Sequence, residues 1–383
     1  MATTETRNGA TGSYVASYHD TADRRLTRAN IVLRRRMENG VGVWEAEIAG
    51  HVVSAPGGPV QVPDEIAHAL LAPLRGADLV QIARMRTSHE DEQEALHDTL
   101  EPSGAPGKRA SALEQVRAYL GEQLSEIERN DPVVRLDRDV EALHDLRVAV
   151  RRSRAVLRAA RDLFEPEWLD RLRDELKWLG GELGPARDLD VMLEHLREER
   201  EAIGIDAAPV VKRIERERRS ARKRAIGALD SERYLALLDE LRVAVDHPPV
   251  RAVDVRLDRI AGKTFRKLER EIAGLGDSPS DSALHRTRIR AKRARYAAEL
   301  ALPVTGKPAE RFVQASKRFQ DIVGEHQDAI VAEERIRAYA ESADAAFGAG
   351  RLVERQRARR ARARAAMPKA WKRLRRRGRQ AWS

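Results

Sequence analysis

Residues 142–154 read Ala-Leu-His-Asp-Leu-Arg-Val-Ala-Val-Arg-Arg-Ser-Arg, and residues 283–295 read Ala-Leu-His-Arg-Thr-Arg-Ile-Arg-Ala-Lys-Arg-Ala-Arg. The second stretch repeats the first, because His144 matches His285 and the basic residues that follow keep the same spacing. Neither stretch contains Gly or Pro, so both can form helices. This repeat predicts that much of the chain is built from two similar helical halves.

The basic residues of each stretch share one face of its predicted helix. They are His144, Arg147, Arg151, Arg154 and Arg158 in the first copy, and His285, Arg288, Lys292 and Arg295 in the second. At about 3.6 residues per turn, this spacing places each set in a single stripe. The first stripe borders an apolar stripe that includes Leu143 and Leu146, whereas an ordinary surface helix places its charges opposite its apolar face. A repeated cationic row beside a buried seam favours an anion-binding site over a solvated basic face.

The composition is typical of a protein made of long charged helices. Of 383 residues, 34% are charged, 42% are hydrophobic and 4% are aromatic, a length that suits two or three domains. The absence of Cys excludes a disulfide framework and Cys-based metal or thiol chemistry. The N-terminal sequence has no apolar signal region and no stretch approaches about 18 apolar residues, so we expect a cytoplasmic protein without membrane contact.

The net charge of +10 is concentrated at the C-terminus. Residues 350–383 contain 14 Lys and Arg and a single acid, Glu354, so the rest of the chain is close to neutral. An Arg-rich helix suits phosphate backbones, and nucleic-acid binding through this segment is an alternative function. Against it, Trp371 and Trp382 are the only aromatic residues of the segment that could stack on bases.

The chain divides into an N-terminal part with strand-like patterns and a longer helical part. The expected divisions are a disordered leader at 1–13, a small α+β region at 14–100, a linker at 101–110 and a helical domain at 111–383. In the α+β region, Ile31–Met37 and Gly42–Ile48 flank a predicted hairpin turn. In the helical domain, Gly and Pro pairs such as Gly184-Pro185 are expected to separate helices.

The repeat extends beyond the two opening stretches. Further matched pairs are Lys177 with Lys317, Gly184 with Gly324, Asp188 with Asp328, and Arg218 with Arg359. The conserved order of these features along the chain predicts a mainly α fold. It consists of two antiparallel four-helix bundles related by approximate two-fold symmetry, in halves of about 111–246 and 250–380.

Arg218 and Arg359 each interrupt the apolar seam of a predicted helix. Burying an unpaired guanidinium costs several kcal/mol, so each Arg either meets a carboxylate inside its bundle or lines a wet cavity. Asp188 and Asp328 are candidate partners. An internal ion pair and a binding site are therefore both open for these two positions.

The sequence contains no recognisable catalytic or metal-binding constellation. The residues four positions after His144 and His285 are Val148 and Ile289, so neither His has the i+4 ligand of a helical metal site. Neighbouring Arg side chains disfavour protonation of these His residues, which suits them to donate a hydrogen bond to phosphate. There is no Gly-rich phosphate loop and no acid/base pair of carboxylates. We expect no enzyme activity, no cofactor and no metal.

The repeated motifs closely resemble the CHAD family, the conserved histidine α-helical domain. The matching segments are 143–152, 175–179, 183–188, 284–296 and 320–328, and the resemblance covers about residues 110–380. It implies two four-helix bundles around a basic central cavity. It also implies a non-catalytic binding module for inorganic polyphosphate, in some cases attached to polyphosphate granules.

The resemblance also implies a set of binding residues. They are His144, Arg147, Arg151, Arg154, Lys177, His285, Arg288, Lys292, Arg295 and Lys317. Three further residues complete the predicted binding set. Arg158 belongs to the first cationic stripe, and Arg218 and Arg359 interrupt the apolar seams of their helices.

Residues 14–90 resemble the CYTH family, the triphosphate-tunnel fold that often precedes CHAD. Tyr18–Leu26 and Leu33–Arg36 fit its strand motifs. The family's Glu-x-Glu-x-Lys strand is missing, and Glu47 stands where a phosphate-binding Lys is expected. A carboxylate there repels a triphosphate. We therefore predict a truncated, degenerate CYTH-like remnant without triphosphatase activity, and residual triphosphate hydrolysis is a third hypothesis.

Overall fold

A computed structural model describes most of the chain. The described residues are 14–38, 40–87, 110–137, 139–203, 208–276, 278–339 and 343–382. The predicted leader at 1–13 and the predicted linker up to residue 109 lie outside them.

The N-terminal part forms one five-stranded antiparallel sheet. Its strands are β1 (Tyr14–Thr21), β2 (Ile31–Glu38), β3 (Val41–Ile48), β4 (His51–Pro56) and β5 (Leu79–Thr87), in the order β4-β3-β2-β1-β5. The predicted hairpin is present between β2 and β3, with Glu38 opposite Val41 and Ile31 opposite Ile48. The expectation of a small α+β region before the helical domain is confirmed.

The two faces of the sheet differ in polarity. Leu33, Trp44 and Ala46 are buried on one face. Three short helices lie between strands in the chain: α1 (Arg25–Arg28) follows β1, and α2 (Asp64–Ala69) and α3 (Leu71–Leu74) follow β4. The first packs against β1 and β2, and the second packs against β4. On the other face, Arg34 lies directly opposite Glu45 of β3. The register therefore places a charged pair inside the sheet region.

Long helices make up the rest of the described chain, and the expectation of a mainly helical protein is confirmed. They are α4 (Ala112–Leu136), α5 (Val140–Ala159), α6 (Pro166–Ile203), α7 (Ala208–Leu229), α8 (Glu232–Asp246), α9 (Leu257–Ala273), α10 (Asp281–Leu300), α12 (Lys307–Tyr339) and α13 (Ala343–Trp382), with the short α11 (Leu302–Thr305) between α10 and α12.

The expected helix break at Gly184-Pro185 is wrong, because α6 runs through it without interruption. A proline inside a helix removes the N–H that would bond the carbonyl four residues earlier and costs about 3 kcal/mol. Leu179, Leu183 and Leu189 are buried on both sides of this position. Each buried Leu side chain contributes about 1.5–3 kcal/mol, so tertiary packing outweighs the local penalty.

The chain forms two compact units. Unit 1 comprises Met1–Ala105, Gly121–Val150 and Ile226–Val243, and unit 2 comprises Pro106–Leu120, Arg151–Ala225 and Ala244–Ser383. Unit 1 thus joins the sheet to parts of four long helices. Within it, Arg242 Nη2 donates to the carbonyl oxygen of Ala72 at 3.2 Å and to Glu128 Oε1 at 2.8 Å. The domain boundaries drawn from the sequence stay a prediction.

Unit 2 contains a core shared by α9, α10, α12 and α13. Its buried residues are Phe265, Leu268, Ala291, Ala294, Ala298, Phe312, Val313, Ala315, Phe319, Val323 and Leu374. Four helices of the second half therefore enclose one apolar interior. This core does not test whether the two halves form two bundles related by two-fold symmetry, which stays a prediction.

Carboxylates that each pair with two arginines fix α13 to this core. Asp281 accepts hydrogen bonds from Arg360 Nη2 at 2.8 Å and Arg364 Nη2 at 2.6 Å. Glu269 accepts from Arg375 Nε at 2.8 Å and from Arg379 Nε at 2.9 Å. These contacts tie α13 to the start of α10 and to α9.

Gly378 lies where α13 packs against α9, and a Cβ atom at this position would overlap the Phe265 ring. Replacing Gly378 by Ala is therefore expected to destabilise the protein by about 1–3 kcal/mol, although Ala is the better helix former. Denaturant unfolding followed by circular dichroism measures the change.

Gly350 in the same helix provides the matched control. A Cβ built there meets no described heavy atom within 4 Å. Gly350→Ala should therefore raise the free energy of unfolding by about 0.5–1 kcal/mol. Similar effects of the two substitutions would contradict the packing of α13 on Phe265.

Candidate functional site

The two predicted cationic stripes meet at one buried tyrosine. Arg151 Nε, on α5, donates to Tyr296 Oη at 2.8 Å, and Arg295 Nη2, on α10, donates to the same oxygen at 3.2 Å. The Arg295 guanidinium also lies 4.9 Å from the centroid of the Tyr296 ring. Tyr296 is only 2% exposed. One phenol oxygen thus holds an arginine from each copy of the repeat.

Small side chains on α10 allow this close approach. Ala291, Ala294 and Ala298 are fully buried in the core of unit 2. Alanine lets neighbouring helices approach closely, and the long arginines beside these alanines keep their charged heads at the rim of the core. The local sequence therefore supports the packing of the helix and leaves Arg290, Arg293 and Arg295 half-buried at the edge of the core.

Five arginines of α5, α6 and α10 lie within electrostatic reach of one another, and we call them the basic cluster. It consists of Arg154, Arg158, Arg173, Arg290 and Arg293. Burial lowers the pKa of Arg293, and so do the charges of Arg158 and Arg290. Burial, Arg173 and Arg154 likewise lower the pKa of Arg158. Arg173 pairs with Asp170 at 2.7 Å, and Arg290 Nε lies 3.7 Å from Glu271 Oε2. The remaining like charges disfavour one another, and a bound anion would offset that cost.

Two buried guanidinium nitrogens of unit 2, one of them in the basic cluster, can also donate to a bound anion. The Nε atoms of Arg173 and Arg288 are buried and make no hydrogen bond within the described part of the chain. Leaving a buried charged donor unpaired is unfavourable. A ligand oxygen that accepts from them would remove the penalty.

An acidic residue limits the site on the side of Tyr296. Glu299 Oε2 lies 3.9 Å from Arg152 Nε, and Glu299 Oε1 lies 3.7 Å from Arg295 Nε. The Tyr119 hydroxyl donates to Glu299 Oε2 at 3.2 Å. Burial and Glu299 raise the pKa of Tyr119, so this hydroxyl stays protonated. Positive charge is thus neutralised at Glu299, whereas no comparable carboxylate contact is described for Arg158 or Arg293.

The structure separates the predicted site residues into groups. Arg151, Arg154, Arg158 and Arg295 belong to the region around Tyr296 and the basic cluster. His144 and Arg147 are half-buried, make polar contacts and belong to unit 1. Arg288 and Lys292 are half-buried on α10, whereas His285, Lys177 and Lys317 are exposed. No described contact joins the last three residues to the basic cluster.

Arg218 and Arg359 are each ion-paired with a carboxylate of another long helix. Arg218 Nε donates to Asp190, and Arg359 Nε donates to Glu325. Asp328, the predicted partner of Arg359, is a neighbour whose pKa is raised by burial in spite of Arg288 and Arg359. These carboxylates lie two and three positions away from the candidates Asp188 and Asp328 in the sequence.

Several residues of the site were missed from the sequence. Arg290 and Arg293 form a second basic row on α10 with Arg286, at spacing i, i+4 and i+7. This spacing was available as a signal, but the row has no full counterpart in the first copy of the repeat. Tyr296 aligns with Ala155, so the repeat could not indicate it either.

A separate buried histidine lies beneath α13. Arg364 Nε donates to His326 Nε2 at 3.0 Å, and Asp281 Oδ1 lies 3.4 Å from the same nitrogen. His326 is 1% exposed. Burial and the charge of Arg364 lower its pKa, against the opposite effect of Asp281. The ring is therefore held neutral in the folded protein.

Stability should depend on pH through His326. Its folded-state pKa lies below the unfolded value of about 6.5, so the unfolded chain binds the proton more readily. The contribution of the neutral ring is present above about pH 6.5 and is lost as the pH falls below that value. We expect the thermal midpoint of the wild type to fall more steeply between about pH 6.5 and pH 5 than that of His326→Gln.

The same pair of proteins at pH 8 provides the reference, since the ring is neutral there in both states. The pH-dependent part of the difference between them reports His326 alone. Parallel curves from pH 8 to pH 5 would contradict a depressed pKa at this position.

Neither a metal site nor a membrane span is apparent in the described residues. They contain no group of three or more His, Asp and Glu side chains that could hold a metal ion. Over the same residues, every helix is too short or too polar to cross a bilayer.

Comparisons with known proteins place the helical part in a family. The CHAD domain profile matches residues 118–337, more than half of the chain. Two Mycobacterium tuberculosis proteins, "Uncharacterized protein Rv2226" of strain H37Rv and "Uncharacterized protein MT2285" of strain CDC 1551, are 30% identical over 257 residues. The aligned region covers 61% of this chain and 47% of each relative. The chain therefore spans about half the length of these curated relatives.

Two solved structures are similar to the chain. PptA from Streptomyces chartreusis is 25% identical with a TM-score of 0.58, covering 69% of this chain and 100% of PptA. The CHAD domain from the plant Ricinus communis is 28% identical with a TM-score of 0.58, covering 71% of this chain and 94% of that domain. On the profile match and these structural similarities, the chain belongs to the CHAD domain family.

Proposed function

We propose that this protein binds inorganic polyphosphate at the basic cluster and the adjoining Tyr296 region, without catalysing a reaction on it. One observation carries the proposal: Arg151 and Arg295, from the two copies of the repeat, donate to one phenol oxygen. Because these two rows lie side by side, their other cations can act on one ligand. The polyphosphate binding implied by the family resemblance supplies the ligand class.

The spacing of the cations suits a linear chain of phosphates. Arginines three or four residues apart on one helix lie about 5–6 Å apart at Cβ. Guanidinium groups bind phosphate oxygens in a bidentate manner, and ammonium groups act as point charges. Rows of this kind can contact successive phosphates of one chain. A single small anion would use only a part of them.

The remaining predicted residues have different roles in this proposal. Lys292 and Arg288 extend the contacts along α10. The exposed Lys177, Lys317 and His285 contribute to the positive field around the site. Arg218 and Arg359 already hold Asp190 and Glu325. Their contribution to phosphate binding is therefore smaller than that of the basic cluster.

Binding without catalysis is part of the proposal. A phosphoryl-transfer site needs a positioned nucleophile and, as a rule, a metal ion. The described residues around the basic cluster supply cations and one phenol, and the phenol oxygen is occupied by two arginines. The same affinity would attach the protein to polyphosphate granules in the cytoplasm.

Nucleic-acid binding through the C-terminal helix is the less favoured alternative. Trp371 packs against Phe319, with ring centroids 6.1 Å apart, and Trp382 packs against Phe312 at 6.1 Å. Both tryptophans of the segment therefore serve the core of unit 2. Neither is presented as a stacking platform for bases.

We also propose that the N-terminal sheet is a degenerate CYTH-like remnant without triphosphatase activity. Glu45 accepts hydrogen bonds from Arg34 Nε at 2.6 Å and from Arg36 Nη2 at 2.8 Å. A carboxylate of the protein thus occupies the two guanidinium groups that could otherwise bind phosphate. No release of phosphate from triphosphate above background is expected with Mg²⁺ or Mn²⁺.

Retention of long-chain polyphosphate on the immobilised protein tests the binding proposal. By the counterion-release behaviour known for nucleic acids, contact with about six phosphates would weaken binding by roughly 10³ between 50 mM and 200 mM salt. Absence of retention at 50 mM salt would reject the proposal. Displacement of polyphosphate by RNA at low concentration would favour the nucleic-acid alternative.

A further inference from the structure

The cations in the C-terminal half of α13 fall into two sets. Arg375 and Arg379 are paired with Glu269 on α9. Arg364 is paired with Asp281, and Arg377 Nη1 donates to Gln380 Oε1 at 2.9 Å. The remaining four form an outer row, Lys369, Lys372, Arg373 and Arg376, at spacing i, i+3, i+4 and i+7. All four side chains of the outer row are exposed. None of them makes an ion pair or hydrogen bond with a residue that the structure describes.

The outer row lies opposite the packed face of the helix. Leu374 is fully buried, and Gly378 meets Phe265 of α9. No Asp or Glu follows Glu354 in the sequence, so α13 has no acid of its own beside the row. An ordinary solvated face mixes acids with bases, because like charges at i and i+4 destabilise a helix. The favourable effect of the helix dipole is confined to the last turn, which excludes Lys369 and Lys372.

Helix α9 connects the outer row to the basic cluster. Lys263, Lys267 and Arg270 are exposed on α9. Arg290 of the basic cluster reaches the same helix, with its Nε 3.7 Å from Glu271 Oε2 of α9. Since Glu269 of α9 holds the far end of α13, cations continue from the basic cluster over α9 to the outer row.

We propose that the outer row is a second contact surface for the same linear polyphosphate. It is engaged only by chains long enough to leave the basic cluster and cross α9. The inference rests on the proposed function. A second contact made by an already bound chain is intramolecular and can raise the overall affinity by about 10²–10⁴ without any change at the first site.

A flexible phosphate chain fits this surface better than a duplex does. The path from the basic cluster to the outer row passes over successive helices, and a ligand must bend to follow it. Duplex DNA has a persistence length of about 50 nm, far longer than any helix of unit 2. Single-stranded nucleic acid gains affinity by stacking on aromatic side chains, and the row contains none.

The test compares tripolyphosphate, which is too short to span both surfaces, with long-chain polyphosphate. The variant carries Lys369→Gln, Lys372→Gln, Arg373→Gln and Arg376→Gln. Its affinity for the long chain should fall by at least about tenfold. Its affinity for tripolyphosphate should stay within about twofold of the wild type, because the basic cluster is unchanged.

Helix α7 offers a matched control with the same loss of charge. Lys212, Arg216, Arg219 and Lys223 are exposed, two lysines and two arginines at helical spacing, beside Glu215 and Glu217 of the same helix. Their four Gln substitutions should leave both affinities unchanged within about twofold. Circular dichroism verifies that each variant is folded.

Each outcome has a definite meaning. Equal long-chain affinity of the wild type and the outer-row variant would overturn the inference while leaving the proposed function intact. A wild type that binds neither probe would reject the proposed function itself. If the outer-row variant loses affinity for duplex DNA but retains its affinity for long-chain polyphosphate, the surface binds nucleic acid instead. If the α7 control loses as much affinity for long-chain polyphosphate as the outer-row variant does, the effect is one of net charge alone.

Discussion

The double variant Arg158→Glu/Arg293→Glu is expected to lose affinity for long-chain polyphosphate by roughly 10²–10⁴. A hydrogen bond to a charged group contributes about 1.5–3 kcal/mol, and each 1.4 kcal/mol corresponds to about a factor of ten. Losing one such contact at each residue gives this range. The two new carboxylates repel phosphate in addition, so the estimate is a lower bound. Isothermal titration at fixed salt measures the change.

The same variant should unfold at an unchanged or higher temperature. Burial and neighbouring cations lower the pKa of both arginines, which means that their positive charges are disfavoured where they lie. Glutamate at these positions removes like-charge repulsion. Loss of binding together with retained stability distinguishes a ligand site from a structural one. A variant that both binds poorly and melts early would contradict the assignment.

Arg216→Glu/Lys223→Glu is the matched control for this experiment. Both residues are exposed on α7, and the pair changes the net charge by the same amount. Its affinity for polyphosphate should fall only through the general electrostatic field, which salt screens over about 8–10 Å. Equal losses in the two double variants would mean that net charge, and not the basic cluster, determines binding.

Replacing Glu45 by Ala is expected to destabilise the N-terminal sheet by about 3–5 kcal/mol. Glu45 is buried and accepts from Arg34 and Arg36, and Arg34 itself is 1% exposed. Removing one partner of a buried ion pair leaves the other charge without compensation. Amide hydrogen exchange of β2 and β3, read by mass spectrometry, measures the loss directly in the strands concerned.

Glu38→Ala is the control for this effect. Glu38 Oε2 lies 3.3 Å from Arg36 Nη2, but the Glu38 side chain is 47% exposed. Exposed ion pairs contribute about 0–1 kcal/mol, so exchange in the same two strands should barely change. Comparable losses in the two variants would show that the burial of Glu45 has no energetic role.

The pH dependence of the Glu45 pair has a definite sign. Burial alone would raise the pKa of Glu45, but the hydrogen bonds and charges of Arg36 and Arg34 lower it below its ordinary value. The stabilisation is therefore present at neutral pH and is lost as the pH falls through the folded-state pKa. In Glu45→Ala this acid-dependent loss should be absent from the exchange of β2 and β3.

The row on α5 could be predicted from the sequence because one apolar seam fixes which side of the helix is buried. Arg151, Arg154 and Arg158 all lie in the region where the structure gathers its cations. On α10 the same reasoning identified only one of the two basic rows. Its seam of buried alanines is flanked by a basic row on each side. Local periodicity cannot decide which of the two rows faces a neighbouring helix.

Other features depend on contacts that are distant in sequence. Spacing along α6 could not distinguish Asp188 from Asp190, because only the position of α7 decides which carboxylate Arg218 reaches. The helix through Pro185 shows a related limit. Its local propensity predicts an end, and buried leucines on both sides override that preference. The sheet hairpin was predictable because its turn and alternation are local.

Sharing one carboxylate between two arginines has a consequence for how this protein tolerates genetic change. The shared pairs are Asp281 with Arg360 and Arg364, Glu269 with Arg375 and Arg379, and Glu45 with Arg34 and Arg36. Loss of either arginine leaves the acid with a partner, whereas loss of the acid strands two cations at once. Among related sequences, the acids should therefore vary less than the arginines around them. Substitution of one of these arginines should therefore be tolerated more readily than substitution of the carboxylate that two of them share.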